Sequence, residues 1–198
     1  MLVFSKEQLV ILAVPKTGTT AISAVLAPRA SMVLRSPPAM KHTPMRRYHR
    51  FLRPFVEQSL GGTPEIMAIV RNPIDWLGSW YRYRSREALQ GHENSTIDVS
   101  FDDFVLEYCK GTPAPFAALG SQSKFVRLND GQIGVDHLFK YEAQDKIRMF
   151  LEDRLGGVID LPRKNVSPRM ELALSPEVSA RLHAKRPEEF ETWEQAQS

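Results

Sequence analysis

Cysteine is nearly missing from this chain: Cys109 is the only one in 198 residues. That excludes an internal disulfide and suits a reducing cytoplasm. Cys109 itself reads as a half-buried helix residue. No apolar run approaches the roughly 20 residues of a membrane-spanning helix. There is no internal repeat, low-complexity tract or domain linker, and the length suits a single domain over residues 1–198 with its own core. Net charge is small, +3 with His neutral. That suits a polyanionic small ligand and gives no reason to invoke nucleic acid. The Walker order of glycine before lysine is also missing. So is an acid at the end of the central predicted strand, where a kinase or ATPase holds Mg²⁺.

What is present begins with residues 8–22. An apolar run, Leu9 to Val14, stops at Pro15, and Lys16-Thr17-Gly18-Thr19-Thr20 leads into a helical pattern. The spacing predicts a buried strand, a tight loop and a helix whose free N–H groups face an anion. Glycine lets backbone amides approach a phosphate closely, and Lys16 adds a full charge.

A second strand-to-helix turn follows. Ile66 to Val70 reads as a buried parallel strand, Asn72 as an N-cap and Pro73 as the first helical residue. Arg71 then sits at the carboxyl end of a strand, where ligands bind in open α/β sheets. Ser79 lies about two turns into the helix, on roughly the face of Asn72. Arginine grips a phosphate through two prongs, and a hydroxyl completes the grip.

Pro15-Lys16-Thr17-Gly18-Thr19-Thr20 resembles the loop that binds the 5′-phosphosulfate in sulfotransferases using 3′-phosphoadenosine 5′-phosphosulfate (PAPS). Arg71 and Ser79, eight residues apart, resemble the 3′-phosphate site of the same family. Leu138-Phe139-Lys140-Tyr141-Glu142 looks like its late core strand. Asn165-Val166-Ser167 and the helix capped at Ser175 resemble the C-terminal pattern of compact bacterial and carbohydrate-type members. The resemblance covers residues 8 to about 186. It implies an α/β, P-loop-like three-layer fold with a central, mainly parallel sheet flanked by helices. It also implies PAPS as donor, adenosine 3′,5′-bisphosphate as product, and no metal. Thr17, Gly18, Thr19 and Thr20 would hold the 5′ end through amides and hydroxyls, and Arg71 and Ser79 the 3′-phosphate. Arg163 and Lys164 would close over the nucleotide, although the family's Arg-Lys-Gly triplet is absent.

Along the chain, strands are predicted at 8–14, 31–34, 66–70 and 134–141. Helices are predicted at 19–26, 44–58, 73–86, 100–110 and 144–155, with a last one from Pro176 to about Lys185. Strands alternating with helices argue a parallel sheet, with both phosphate motifs at one edge. The first strand leads straight into the phosphate loop, so a cleaved signal peptide would destroy the site, and a cytoplasmic location is expected.

Transfer of a sulfuryl group to a hydroxyl needs a base, a cation at the leaving phosphate and a rigid grip on the donor. Lys16 is the candidate cation and His42, in Met40-Lys41-His42-Thr43-Pro44, the candidate base. His49 competes but lies among Arg46, Arg47, Arg50 and Arg53, whose field opposes protonation. His92, His137 and His183 have no supporting context. The expected acceptor is a small molecule or carbohydrate in an open cleft, because the interval between the motifs leaves little chain to enclose it. The basic cluster 46–53 either draws an anionic sugar or lipid headgroup or is a solvated helix face. Trp76, Trp80, Tyr81 and Tyr83 either line the acceptor site or belong to the core, and loop 87–100 is either a lid or plain surface. Two other classes stay open: an ATP–Mg²⁺ phosphotransferase on the same fold, and a noncatalytic nucleotide- or nucleic-acid-binding module.

Overall fold

A computed structural model describes residues 1–161, 170 and 172–198. Its centre is a five-stranded sheet of order β3-β1-β2-β4-β5. The strands are β1 (Leu2–Phe4), β2 (Leu9–Ile11), β3 (Met32–Val33), β4 (Glu65–Val70) and β5 (His137–Lys140). β2, β4 and β5 form a parallel set, with Val10 opposite Ile66 and Ile69 opposite Phe139. β1 runs antiparallel to both β2 and β3. β3 therefore points the same way as the parallel set, and only β1 opposes it.

The β1–β2 hairpin is an addition to the sequence-based expectation. Leu2-Val3-Phe4 is too short to show a period, but Ser5 to Gln8 form a tight connection, with Gln8 at φ 49°. The predicted strand at 8–14 is only Leu9–Ile11 as a ladder, although the Leu12 N–H still donates to Met67 O at 2.9 Å. From Ala13 onward the chain leaves the sheet to build the loop.

Alternation along the strands feeds two cores. Val10, Leu12, Val14, Ile66, Ala68 and Val70 meet Met45, Tyr48, Val56 and Val126 on one face. Leu9, Ile11, Met67 and Ile69 meet Ile22, Leu26, Ile147 and Leu151 on the other. Strands apolar on both faces require helices on both faces, which is why 9–14 and 66–70 read as continuous hydrophobic runs.

The helices are α1 (Thr19–Leu26), α2 (Pro38–Lys41), α3 (Met45–Arg47), α4 (Arg53–Leu60), α5 (Pro73–Arg84), α6 (Phe101–Tyr108), α7 (Gln122–Val126), α8 (Gln144–Leu155), α9 (Pro176–Lys185) and α10 (Pro187–Glu194). α3 and α4 are joined through a π-helical stretch, Tyr48–Leu52, so the predicted helix 44–58 is one rod with a widened turn. Caps fall where the sequence puts them. Asn72 Oδ1 accepts from the N–H groups of Ile74 and Asp75, Ser100 Oγ from Asp103, and Ser175 Oγ from Val178. A third apolar cluster, built by Trp76, Leu77, Tyr81, Phe104 and Leu182, joins α5 to α6 and α9. Among the described residues no helix is long and apolar enough to cross a membrane.

Candidate functional site

β2 and β4 are parallel neighbours, so the loops leaving their carboxyl ends emerge side by side. In the first loop Lys16 and Gly18 both have left-handed backbone, at φ 67° and 75°. Alternating hand turns successive N–H groups to one side, the geometry of an anion-binding nest. Among the described residues, none of the backbone N–H groups of residues 16–20 donates a hydrogen bond. The hydroxyls divide. Thr17 is buried and donates to Val14 O at 2.9 Å, and Thr19 donates to the same oxygen at 3.5 Å. Both side chains brace the loop from beneath, so these two residues offer an anion their amides. Thr20 is exposed, with the Lys41 ammonium donating to its hydroxyl at 3.4 Å.

Gly18 is packed as well as twisted. A Cβ there would come 3.0 Å from Tyr141 Cε2. Tyr141, just past β5, carries the Arg71 guanidinium 4.7 Å above its ring. One aromatic ring thus abuts the first loop and supports the second loop's cation. Arg71 is held from behind by Gln122, whose side-chain oxygen accepts from the Arg71 N–H at 2.8 Å and whose amide donates to Arg71 O at 2.9 Å. Glu142 accepts from the Asn72 N–H at 2.9 Å. Gln122 is itself anchored, because Glu189, buried against α7, accepts from the N–H groups of Gln122 and Ser123. Burial pushes the Glu189 carboxyl up, against the pull of its hydrogen bonds. The fixed backbone leaves Arg71 Nε buried and, among the described residues, without an acceptor. Ser79 is buried on α5, two turns past Asn72.

α5 also binds the first loop. Trp76 Nε1 donates to Pro15 O at 2.9 Å. Lys16 Nζ lies 4.3 Å from the Tyr83 ring centroid and 5.6 Å from that of Trp80. Burial, reinforced by the guanidinium groups of Arg86, Arg71 and Arg82, pulls the Lys16 ammonium down to about 8. Among the described residues, no ion pair engages any of these four cations. Such a concentration of positive charge is unfavourable until an anion joins it. The aromatic stripe of α5 serves both purposes: Trp76 and Tyr81 enter the core, while Trp80 and Tyr83 face Lys16. Loop 87–100 is fastened at Thr96, whose buried hydroxyl donates to Tyr81 O at 2.9 Å.

His42 lies just past α2, and its Nδ1 is 2.7 Å from Ala13 O. A carbonyl only accepts, so Nδ1 carries the proton and Nε2 keeps its lone pair. Burial lowers the imidazole's pKa; the Ala13 hydrogen bond opposes this and the Lys41 ammonium adds to it. The imidazole is thereby tied to the chain where it leaves β2 for the loop of residues 15–20. His49 is exposed, in the π-helical stretch between α3 and α4.

Lys16, Thr17, Gly18, Thr19, Thr20, Arg71 and His42 therefore belong to the carboxyl-end edge of β2 and β4, while Ser79 lies about two turns along the helix that follows β4. Arg163 and Lys164 lie outside the described residues, as do Asn165, Val166 and Ser167. Sequence reasoning missed Arg82, which lies about one turn past Ser79 on α5, and Arg86, which lies just beyond the end of α5 on extended backbone. It assigned Tyr141 and Glu142 no chemistry, although both stand at the end of a core strand. Nothing local marks Gln122 or Glu189. Among the described residues no group of His, Cys, Asp and Glu is arranged to hold a metal ion. No protein-family model and no curated protein matches this chain.

Proposed function

We propose that this chain is a PAPS-dependent sulfotransferase on a P-loop-like three-layer fold, resembling compact bacterial and carbohydrate-type members, and working in the cytoplasm. The observation that carries this reading is the pairing of two anion-seeking turns at adjacent strand ends. One has free amides and Lys16, and the other has Arg71 with an unsatisfied Nε. Two separate anionic centres on one ligand match this arrangement better than a single triphosphate chain does. The 5′-phosphosulfate lies along the amides of 16–20 and the 3′-phosphate against Arg71 and Ser79.

In the reaction an acceptor hydroxyl, on a small molecule or carbohydrate, attacks sulfur in line. Its proton passes to Nε2 of His42 as the new oxygen–sulfur bond forms. The bond from sulfur to the bridging oxygen breaks, and its electron pair stays on the phosphate, where Lys16 neutralises the growing charge. No step requires a metal or a nucleic acid.

Calorimetric titration with adenosine 3′,5′-bisphosphate, beside AMP and ATP–Mg²⁺, tests this. Tight binding of the bisphosphate alone, lost in Arg71→Ala, supports the donor site. Preference for ATP–Mg²⁺ replaces it with a phosphotransferase. Bisphosphate binding with no transfer to any acceptor, and no effect of His42→Ala, replaces it with a noncatalytic module.

A further inference from the structure

The rod formed by α3, the π-helical stretch and α4 begins three residues after His42 and has two unlike sides. Met45, Tyr48 and Val56 are buried in the core, with Leu52 and Leu60 packed beside them. The other side is exposed at Arg46, Arg47, His49, Arg50, Phe51, Pro54 and Phe55. Phe51 is 64% exposed and Phe55 60%, and they stand four residues apart, one above the other along the rod. The rod's only acid, Glu57, is taken by Arg53 at 2.8 Å, and among the described residues Arg46, Arg47 and Arg50 form no ion pair. Two large aromatic side chains in water beside three uncompensated guanidinium groups fit the pattern of a helix that lies in a membrane interface.

We propose that this face docks on an anionic lipid bilayer, with Phe51 and Phe55 entering the headgroup–acyl boundary and Arg46, Arg47 and Arg50 resting on lipid phosphates. Charge complementarity selects this occupant. A second copy meeting the same face about a two-fold axis would bring the arginines against one another. A single-stranded nucleic acid would stack bases on open ring faces, but the Arg50 guanidinium already takes one face of Phe51, 5.1 Å from its centroid. Lipid insertion uses ring edges and is compatible with that cover. Because His42 and Arg46 are at most about 15 Å apart along the chain, docking holds the candidate base near the lipid surface. The surface stands independently of the sulfotransferase reading, and its test needs neither donor nor acceptor.

The test is co-sedimentation of the full chain with vesicles of phosphatidylcholine alone and with about one third phosphatidylglycerol. Binding is expected to the anionic vesicles only, and to weaken strongly in about 0.5 M salt. Phe51→Ala and Phe55→Ala should each lower partitioning about tenfold, with an unchanged melting temperature because both side chains are already exposed. Arg46→Ala, Arg47→Ala and Arg50→Ala should each lower it about fivefold. No vesicle binding, or binding indifferent to both phenylalanines, overturns the proposal. So does a dimer in sedimentation velocity that dissolves in the double Phe variant, or retention on single-stranded polynucleotide without retention on vesicles.

Discussion

Lys16 gives the sharpest test, because an anion that fills the site must change its protonation. Burial and three guanidinium groups bring its ammonium from the ordinary 10.5 down to about 8. In the unfolded chain the group keeps its ordinary value, so between about pH 8 and 10.5 the folded protein binds fewer protons than the unfolded one. The group therefore opposes folding below pH 8, and this opposition is relieved as pH rises through that window. Adenosine 3′,5′-bisphosphate opposes both causes, since its phosphates set negative charge against the buried ammonium and offset the guanidinium field, and so raise the pKa back toward its ordinary value. Binding must then draw protons from solution: roughly a tenth of a proton at pH 7, about half at pH 8 and about nine-tenths at pH 9. The ligand's phosphates, with second pKa values near 6, are almost fully ionised at about pH 8–9 and contribute little there, whereas at about pH 7 each still holds about a tenth of a proton, whose release offsets the small Lys16 uptake. Affinity should correspondingly fall by up to about tenfold per pH unit above 8. Calorimetry in two buffers of different ionisation enthalpy measures the uptake directly. Lys16→Met should abolish it and flatten the pH dependence. Tight bisphosphate binding at pH 8–9 without proton uptake, or uptake that persists in Lys16→Met, would refute the placement of this ammonium against the anion.

Gln122→Ala removes both hydrogen bonds to the Arg71 backbone and leaves two part-buried polar groups without their partners, which costs about 1 kcal/mol. Bisphosphate affinity should fall about tenfold along with the melting temperature; Gln122→Glu, which can still accept from the Arg71 N–H, should restore part of the affinity, and wild-type affinity in the alanine variant would show that this bracket does not position Arg71. Gly18→Ala places a side chain at φ 75° and 3.0 Å from Tyr141 Cε2, so a stability loss of about 1–2 kcal/mol in urea melts should accompany weaker ligand binding. His42→Ala should lower the turnover number by about 10²–10⁴ while bisphosphate titrations stay within a few-fold of wild type; near-normal turnover would remove His42 as the base.

Much of the frame was legible because local signals agreed with tertiary demands. α1, α8 and α9 begin and end where the sequence places them: apolar spacing, a serine cap with proline at the first position of α9, and Gly156 after α8 each act within a turn. β1 was not legible, since three residues carry no period and its place in the sheet comes from pairing with β2 and β3. α7 and α10 were also missed, α10 even though Pro187, Glu188 and Glu189 are local signals of a helix start. α7 is five residues long and owes its start to Ser121 and to a carboxylate 67 residues away in sequence, so a window around it contains only half of its cause.

The candidate site divides along the same line. Residues that would touch the ligand sit mostly in strand-to-helix turns, where backbone geometry and ligand chemistry both constrain the local sequence, so Lys16, Gly18 and Arg71 announce themselves, and Ser79 follows from its spacing to Arg71 along α5. Residues that hold those in place are constrained only by what they hold. Gln122 reaches Arg71 across 51 residues, Glu142 reaches Asn72 across 70, and Glu189 reaches Gln122 across 67. Many polar side chains at those positions would look equally ordinary in sequence. The threonines show the converse limit. Sequence counts Thr17 and Thr19 as ligand hydroxyls because they lie in the loop, yet both donate to Val14 O. A loop with left-handed backbone at Lys16 and Gly18 leaves its own carbonyls to be satisfied from within, and a short β-branched alcohol does that without leaving the turn. Hydroxyls in such a loop are therefore partly committed to holding its shape, and the free amides are the part of it that faces an anion.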